Sequence, residues 1–381
     1  MENQQIEQRE TVLVTGGTGF IGRWTVASLT QKGHFVHVLA RNAQRRESEY
    51  LAWIQRHGGE PGRVQLLESD LGRPQLGLSQ SHLNRLREVT VIYHMGAAFQ
   101  WGLDGDEARR ITVGGSEALV GVAQSLPRLK RVIHLSGYMI AAQENWSMVG
   151  MNPNEPVENP IDPNRLKQLY RKLGAYEAAK IEAHFTVQRL CDAAGLPLTN
   201  ILLSSVIGHS QTGEIDQPHG VSMLVDQVRT GKLALIPGTK EDWMPLVTID
   251  YLVDFIVGIL ALEQVSESAL NKNLVVLDQA TPNFATFVGW LSEGLGRKPP
   301  KHHIPKWLLQ KVLALGFDRL MGISAEALDF LQPYPFDTGP ADALAQQMGL
   351  VKPDIRQAVD KMVAFLQEQE QQKGSALYQN V

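Results

Sequence analysis

One stretch, TVLVTGGTGFIG from Thr11 to Gly22, limits what this chain can fold into more than any other. Val12 to Thr15 reads as a short buried strand, a glycine turn follows, and a helix runs from about Phe20. Gly17, Gly19 and Gly22 satisfy the G-x-G-x-x-G spacing, and Gly16, Gly19 and Gly22 recur at every third residue. Glycine is needed here for separate reasons. The turn out of the strand is tight, the backbone must touch a pyrophosphate, and the helix must pack close to the sheet. The helix start then points its free N–H groups and positive dipole end at phosphates. Gly16, Gly19, Phe20, Ile21 and Gly22 are accordingly the candidate dinucleotide-binding residues. A glycine turn without a ligand is the competing reading. The strand before and the helix after supply the context a bare pattern lacks.

Downstream, Phe20 to Lys32 reads as a helix ended by Gly33, and His34 to Ala40 as the second strand. Sites that prefer NAD place Asp or Glu about 20 residues past the glycines, on the ribose hydroxyls. This chain has Arg41 there, with Arg45 and Arg46 close behind. Guanidinium groups suit a 2′-phosphate and an acid would repel it, so NADP (NADPH) is the expected cofactor and NAD the poorer fit. The alternative is a solvated basic loop.

Val64 to Leu67 is the third strand, followed by Glu68-Ser69-Asp70-Leu71. Asp70 at that strand edge could meet an adenine amino group or cap the next turn. Thr90 to His94 is a fourth strand, and in Met95-Gly96-Ala97-Ala98 the small Gly96 and Ala97 let the backbone approach a cofactor. Asp106 to Ser125 reads as a helix and Arg131 to Leu135 as a fifth strand, ending in Ser136-Gly137-Tyr138. Ala141 to Pro163 reads as a long loop, a candidate lid. Leu166 to Ala194 is helical with a break at Gly174, and Leu198 to Ile207 is a sixth strand.

This alternation predicts an α/β fold, a doubly wound parallel sheet with helices on both faces. The expected partition is an NADP-binding Rossmann domain over 11–208, to which 246–281 returns. A smaller, mostly helical substrate region takes 209–245 and 282–370, and 371–381 is a flexible tail. Lys306 to Met321 is apolar on one face, which suits a core-packing surface or a lipid surface.

Composition excludes some classes. The formal net charge is 36 − 40 = −4, which implies no general attraction to nucleic acid or anionic membrane. The single cysteine, Cys191, permits no internal disulfide, and the polar start MENQQIEQRE lacks an apolar signal core. The cytoplasm is the expected compartment. No apolar run is long enough to span a bilayer, since Tyr251 to Leu262 is cut by Asp254. No metal site is expected.

Tyr176 and Lys180 lie four apart in GAYEAAK, on one face of a helix. A nearby ammonium favours tyrosinate and lowers the phenol pKa toward the working pH. The phenol can then pass a proton to a developing alkoxide as hydride arrives. Ser136 could hydrogen-bond the same substrate oxygen. The competing reading is a surface helix pair. Position favours the chemical one, because the pair follows the fifth strand in a chain that already carries a nucleotide fingerprint.

These segments together resemble the extended short-chain dehydrogenases/reductases, over roughly residues 11 to 370. The resemblance rests on TGGTGFIG, SDL at 69–71, YHMGAA at 93–98, YEAAK at 176–180 and the strand at 201–208. Within that family the chain is most similar to the thioester reductase and fatty acyl-CoA reductase branch, through ESDLGRPQLGLS (68–79), Arg41 and VIGHSQTGEID (206–216). The resemblance implies NADPH-dependent hydride transfer to a carbonyl or acyl thioester, with Tyr176 as proton donor. It implies that Lys180 also holds the nicotinamide ribose, that Asp70 and Leu71 line the adenine pocket, and that a homodimer through the Tyr176 helix is possible. The substrate would be a small molecule or an acyl group on a carrier or CoA. Trp101, Trp243 and Trp307 favour an apolar one. A sugar-nucleotide epimerase or dehydratase and a non-catalytic NADP-binding sensor are the alternatives. Three departures stand out. Ser136-Gly137 replaces Ser-Thr or Ser-Ser, Thr112-Val113-Gly114-Gly115 replaces Asn-Val-x-Gly, and His209 replaces the acid of G-D-S.

Overall fold

The computed structural model describes residues 9–98, 103–152, 155–216, 220–262, 270, 272–313 and 325–378. In chain order the first half runs β1 (Thr11–Thr15), α1 (Phe20–Gln31), β2 (Phe35–Ala40), α2 (Ala43–Arg56), β3 (Val64–Glu68), α3 (Gln80–Arg85), β4 (Val91–His94), α4 (Gly105–Gln124), β5 (Arg131–Gly137), α5 (Gln143–Val149) and α6 (Pro163–Ala194). Then come β6 (Leu198–Leu203), β7 (Ser205–Ile207), α7 (Val221–Thr230), β8 (Ile236–Pro237), β9 (Leu246–Thr248), α8 (Ile249–Leu262) and β10 (Asn273–Val276). The chain closes with α9 (Phe284–Gly294), β11 (His303–Ile304), α10 (Lys306–Val312), α11 (Gly339–Gln347) and α12 (Ile355–Tyr378).

The main sheet has seven strands in the order β3-β2-β1-β4-β5-β6-β10. Parallel register runs unbroken from β3 through β2, β1 and β4 to β5. Val12, Leu13, Val14, Val91, Ile92 and Tyr93 are all fully buried, as expected of central strands covered by helices on both faces. The chain winds outward from β1 to β3, then crosses back to β4. That reversal opens a crevice beyond the carboxyl ends of β1 and β4, where open α/β sheets take their ligands.

Two compact units divide the chain. One comprises Met1–Leu202 with Val253–Val275, the other Leu203–Leu252 with Val276–Val381. The segment returning to the first unit is thus shorter than the 246–281 expected. Within the first unit, α4 and α6 meet through Ala108, Val113, Ala179 and Ala183, whose small side chains let the helices approach closely. Helix α6 is interrupted at Gly174, which takes φ 78°, ψ 177°. The expected break therefore lies two residues before Tyr176. In the second unit, β7 pairs with β9 and β8 with β11, both in parallel. Trp243 is buried there and donates from Nε1 to the Tyr334 carbonyl at 3.0 Å.

Several local expectations need correction. The segment 141–163 is not all loop, because α5 fills part of it. Trp146 is 5% exposed and donates to the Ile140 carbonyl at 2.7 Å, so this stretch is pinned to the core. The sixth strand does not run on to Ile207. It ends at Leu203, and the chain pairs afresh with β9 from Ser205. The tail expected to be frayed from 371 continues α12 as far as Tyr378. Along 306–313 one face of the helix is buried, with Leu309 and Leu313 each 3% exposed, whereas Trp307 on another face is 59% exposed with the Lys311 ammonium over its ring. Residues 314–321 of that helix, and Trp101, lie outside the described residues.

Candidate active site

The glycine turn is built by close approach. Gly16 has φ +70°, and a Cβ on it would stand 2.7 Å from the Gly96 nitrogen. A Cβ on Gly22 would stand 2.2 Å from the Gly16 carbonyl oxygen and 2.6 Å from Gly17 Cα, so the helix start seats directly on the turn. Gly19 differs. Its Cβ would meet only the Gly16 oxygen, at 3.4 Å, and it is exposed. Gly19 is the N-cap of α1 and offers no side chain, and the first turn, which includes half-buried Phe20 and Ile21, carries no acid. The first-turn N–H groups thus meet no capping side chain, which suits a phosphate. Tyr50 on α2, invisible to sequence reasoning, donates from Oη to the Gly17 carbonyl at 2.8 Å. Burial pushes its phenol pKa up, so it stays a donor.

At the end of β2, Arg41, Arg45 and Arg46 are exposed and form no ion pair among the described residues. Asn42 turns the chain with φ 55°. The two oxygens of Glu68 accept the Asn42 and Ala43 N–H groups at 3.0 and 2.8 Å and so close the start of α2. Asp70 Oδ1 accepts the Gly72 N–H at 2.9 Å, which makes it a turn cap, and Arg73 Nε lies 3.5 Å from its second oxygen. Leu71 packs under the loop after β4. A Cβ on Gly96 would stand 2.6 Å from Leu71 Cδ1, and one on Gly115 would stand 3.0 Å from its carbonyl oxygen. Ala97 is half-buried beside Gly96.

The bare helix start and the free guanidinium groups fit a phosphate-bearing dinucleotide. The male sterility protein family of NAD-binding domains matches residues 14–256. The chain belongs to that family. It is an NAD(P)-dependent oxidoreductase of the extended short-chain dehydrogenase/reductase type. Among relatives, the mouse sterol-4-alpha-carboxylate 3-dehydrogenase (decarboxylating) is 23% identical over 306 residues, 80% of this chain and 74% of that protein. The terminal R domain from the myxalamid PKS-NRPS biosynthetic pathway superposes with TM-score 0.71 at 19% identity, covering 95% of this chain and 91% of that one. A thiolation-reductase di-domain from an archaeal non-ribosomal peptide synthetase gives TM-score 0.68 at 16% identity, covering 95% and 76%.

Tyr176 and Lys180 of this family member stand one turn apart on α6, just past the Gly174 break. Lys180 Nζ donates to the Leu135 carbonyl at 2.8 Å, which ties α6 to the end of β5. Burial lowers its ammonium pKa to about 8. A further tie, also unseen in the sequence, joins α6 to α4. Arg109 Nε donates to both oxygens of Glu182, at 2.9 and 3.1 Å, and the Tyr170 hydroxyl donates to the same carboxylate at 2.9 Å. Ser136 does not present its hydroxyl to the surface. The residue is 1% exposed, and Oγ is enclosed without a hydrogen-bond partner among the described residues. Gly137 has an ordinary extended backbone, φ −97°, and a Cβ there would meet no heavy atom within 4 Å among the described residues. Of the other departures, Thr112 Oγ1 accepts the Ala98 N–H at 3.1 Å. His209 bonds within its own turn, Nδ1 accepting the Gln211 N–H at 3.1 Å. Among the described residues, no helix is long and apolar enough to cross a membrane.

Proposed function

We propose that this chain is an NADPH-dependent reductase of a carbonyl or acyl thioester, with Tyr176 as the proton donor. The observation that carries the reading is the Lys180–Leu135 hydrogen bond, because it fixes an ammonium of lowered pKa one turn from a phenol at the end of a central strand. Bound NADPH supplies the hydride. The chain's own part begins with Gly16, Gly19, Phe20, Ile21 and Gly22 holding the pyrophosphate and Arg41 the 2′-phosphate. Asp70 and Leu71 line the adenine side, and Gly96 and Ala97 let the backbone approach. Tyr176 gives its phenolic proton to the substrate oxygen as the C–H bond forms and the carbonyl π bond opens. Lys180 holds its charge beside the phenol, so the proton leaves more readily. On a thioester the product of this step is a hemithioacetal, which releases thiol and aldehyde.

The structural likeness to a thiolation-reductase di-domain supports a carrier-bound acyl group as substrate class. The test is NADPH oxidation over a panel of aldehydes, ketones and acyl-CoAs. Tyr176→Phe should abolish turnover while NADPH still binds. The enclosed Ser136 hydroxyl and the bare Gly137 favour a second reading, an NADP-binding sensor without turnover. That reading holds if NADPH binds tightly and no panel member is reduced.

A further inference from the structure

Strand β4 ends on a histidine that the proposed chemistry does not use. His94 is 2% exposed, and both of its ring nitrogens are engaged. Nδ1 lies 2.7 Å from Thr15 Oγ1, and Nε2 lies 2.8 Å from Ser116 Oγ. The neighbours fix where the protons sit. Ser116 Oγ donates its one hydrogen to the Thr112 carbonyl at 2.6 Å, so it accepts from Nε2–H. Nδ1 then carries a lone pair and accepts the Thr15 hydroxyl hydrogen. Thr15 Oγ1 in turn accepts the Gly96 N–H at 3.1 Å. The hydrogen bonds therefore all run one way, from Gly96 through Thr15, His94 and Ser116 to Thr112. Burial holds the His94 pKa down at about 3, with Lys180 as the charged group acting in the same direction, which keeps this tautomer neutral. The His134 ring stacks on His94 at 5.3 Å and braces it.

The far end of this chain of bonds is functional ground. Gly96 is the residue whose backbone nitrogen abuts Gly16. The same loop is held again by Met95 N–H on the Thr15 carbonyl at 3.2 Å and by Ala98 N–H on Thr112 Oγ1. We propose that His94 is a cofactor-positioning residue. By orienting the Thr15 hydroxyl to accept from Gly96, it sets how the 95–98 loop lies against the glycine turn, and hence the affinity for the dinucleotide. This rests on the reading that the dinucleotide lies along that turn.

The experiment is fluorescence titration with NADPH and with NADH, alongside the melting temperature of each variant. Asn at 94 keeps an acceptor near the Nδ1 position, whereas Gln keeps only a donor near Nε2. Thr15→Ser keeps the hydroxyl, and Thr15→Val removes it at nearly equal volume. One buried hydrogen bond is worth about fivefold to tenfold in Kd. His94→Gln and Thr15→Val should weaken binding by that factor, and the double variant no further. His94→Asn and Thr15→Ser should stay within about twofold of wild type. Unchanged Kd values in the folded Thr15→Val protein would overturn the proposal. So would losses at 94 that follow the melting temperature whichever side chain is present. A wild-type protein that binds neither nucleotide overturns the underlying reading instead, and is distinguished by that result.

Discussion

Lys180 Nζ donates to the Leu135 carbonyl across 2.8 Å, so the helix that carries Tyr176 is fastened to the last residues of β5 by a charged group. The fastening has a measurable cost. The amine is charged up to its ordinary 10.5 in the unfolded chain, but only up to about 8 in the fold. Between those values the unfolded chain binds more protons, so stability rises with pH. The urea midpoint of the wild type, measured relative to Lys180→Met, should climb from about pH 8 to pH 10. A flat difference would reject the lowered pKa.

Arg41 is exposed and forms no ion pair among the described residues. A charge-assisted hydrogen bond to a 2′-phosphate is worth about 1.5–3 kcal/mol, or roughly tenfold to a hundredfold in Kd. Arg41→Ala should weaken NADPH by that factor and NADH by less than about threefold. Equal losses for the two nucleotides would refute the NADP assignment.

Gly22 and Gly19 should respond differently to the same change. A methyl group on Gly22 meets the Gly16 oxygen at 2.2 Å, so backbone must shift. Gly22→Ala should cost about 1–3 kcal/mol in stability, seen in denaturant unfolding. Gly19→Ala places its methyl 3.4 Å from the same oxygen, on the exposed side. It should fold normally and lose nucleotide affinity. Wild-type affinity in Gly19→Ala would move the pyrophosphate elsewhere.

Gly137 tolerates a side chain in both backbone and space. Gly137→Ser should leave stability within about 0.5 kcal/mol of wild type. The added hydroxyl at the strand end should raise kcat toward small aldehydes and raise KM for bulky acyl substrates. A lower kcat toward small aldehydes in the stably folded variant would show that the space serves another purpose.

Sequence legibility followed the range of the interaction. The strand, turn and helix at 11–22, the order of strands to β5, and the break at Gly174 are local patterns, and periodicity and glycine placement expose them. The hydrogen bonds that lock the site are not local. Tyr50 reaches Gly17 over 33 residues, Glu68 reaches Ala43 over 25, and Thr15 reaches His94 over 79. No spacing rule announces such pairs. The surroundings of Ser136 are non-local for a related reason. Its position at the strand end is visible in the sequence, but which face its hydroxyl takes depends on the helices that cover the strand. The sixth strand stops short of the expected Ile207 because Ser205–Ile207 pair with Leu246–Thr248, a partner more than 35 residues away that local pattern does not reveal.

The Tyr50–Gly17 hydrogen bond also bears on redesign. The helix that follows Arg41 and contains Arg45 and Arg46 is, through Tyr50, bonded to the turn that would grip the pyrophosphate. Under the proposed function, cofactor choice and cofactor grip would be mechanically one piece. Replacing the 41–46 segment with an acidic one, to convert the chain to NADH, has to preserve the seating of α2. Otherwise the exchange would loosen the glycine turn for every dinucleotide at once.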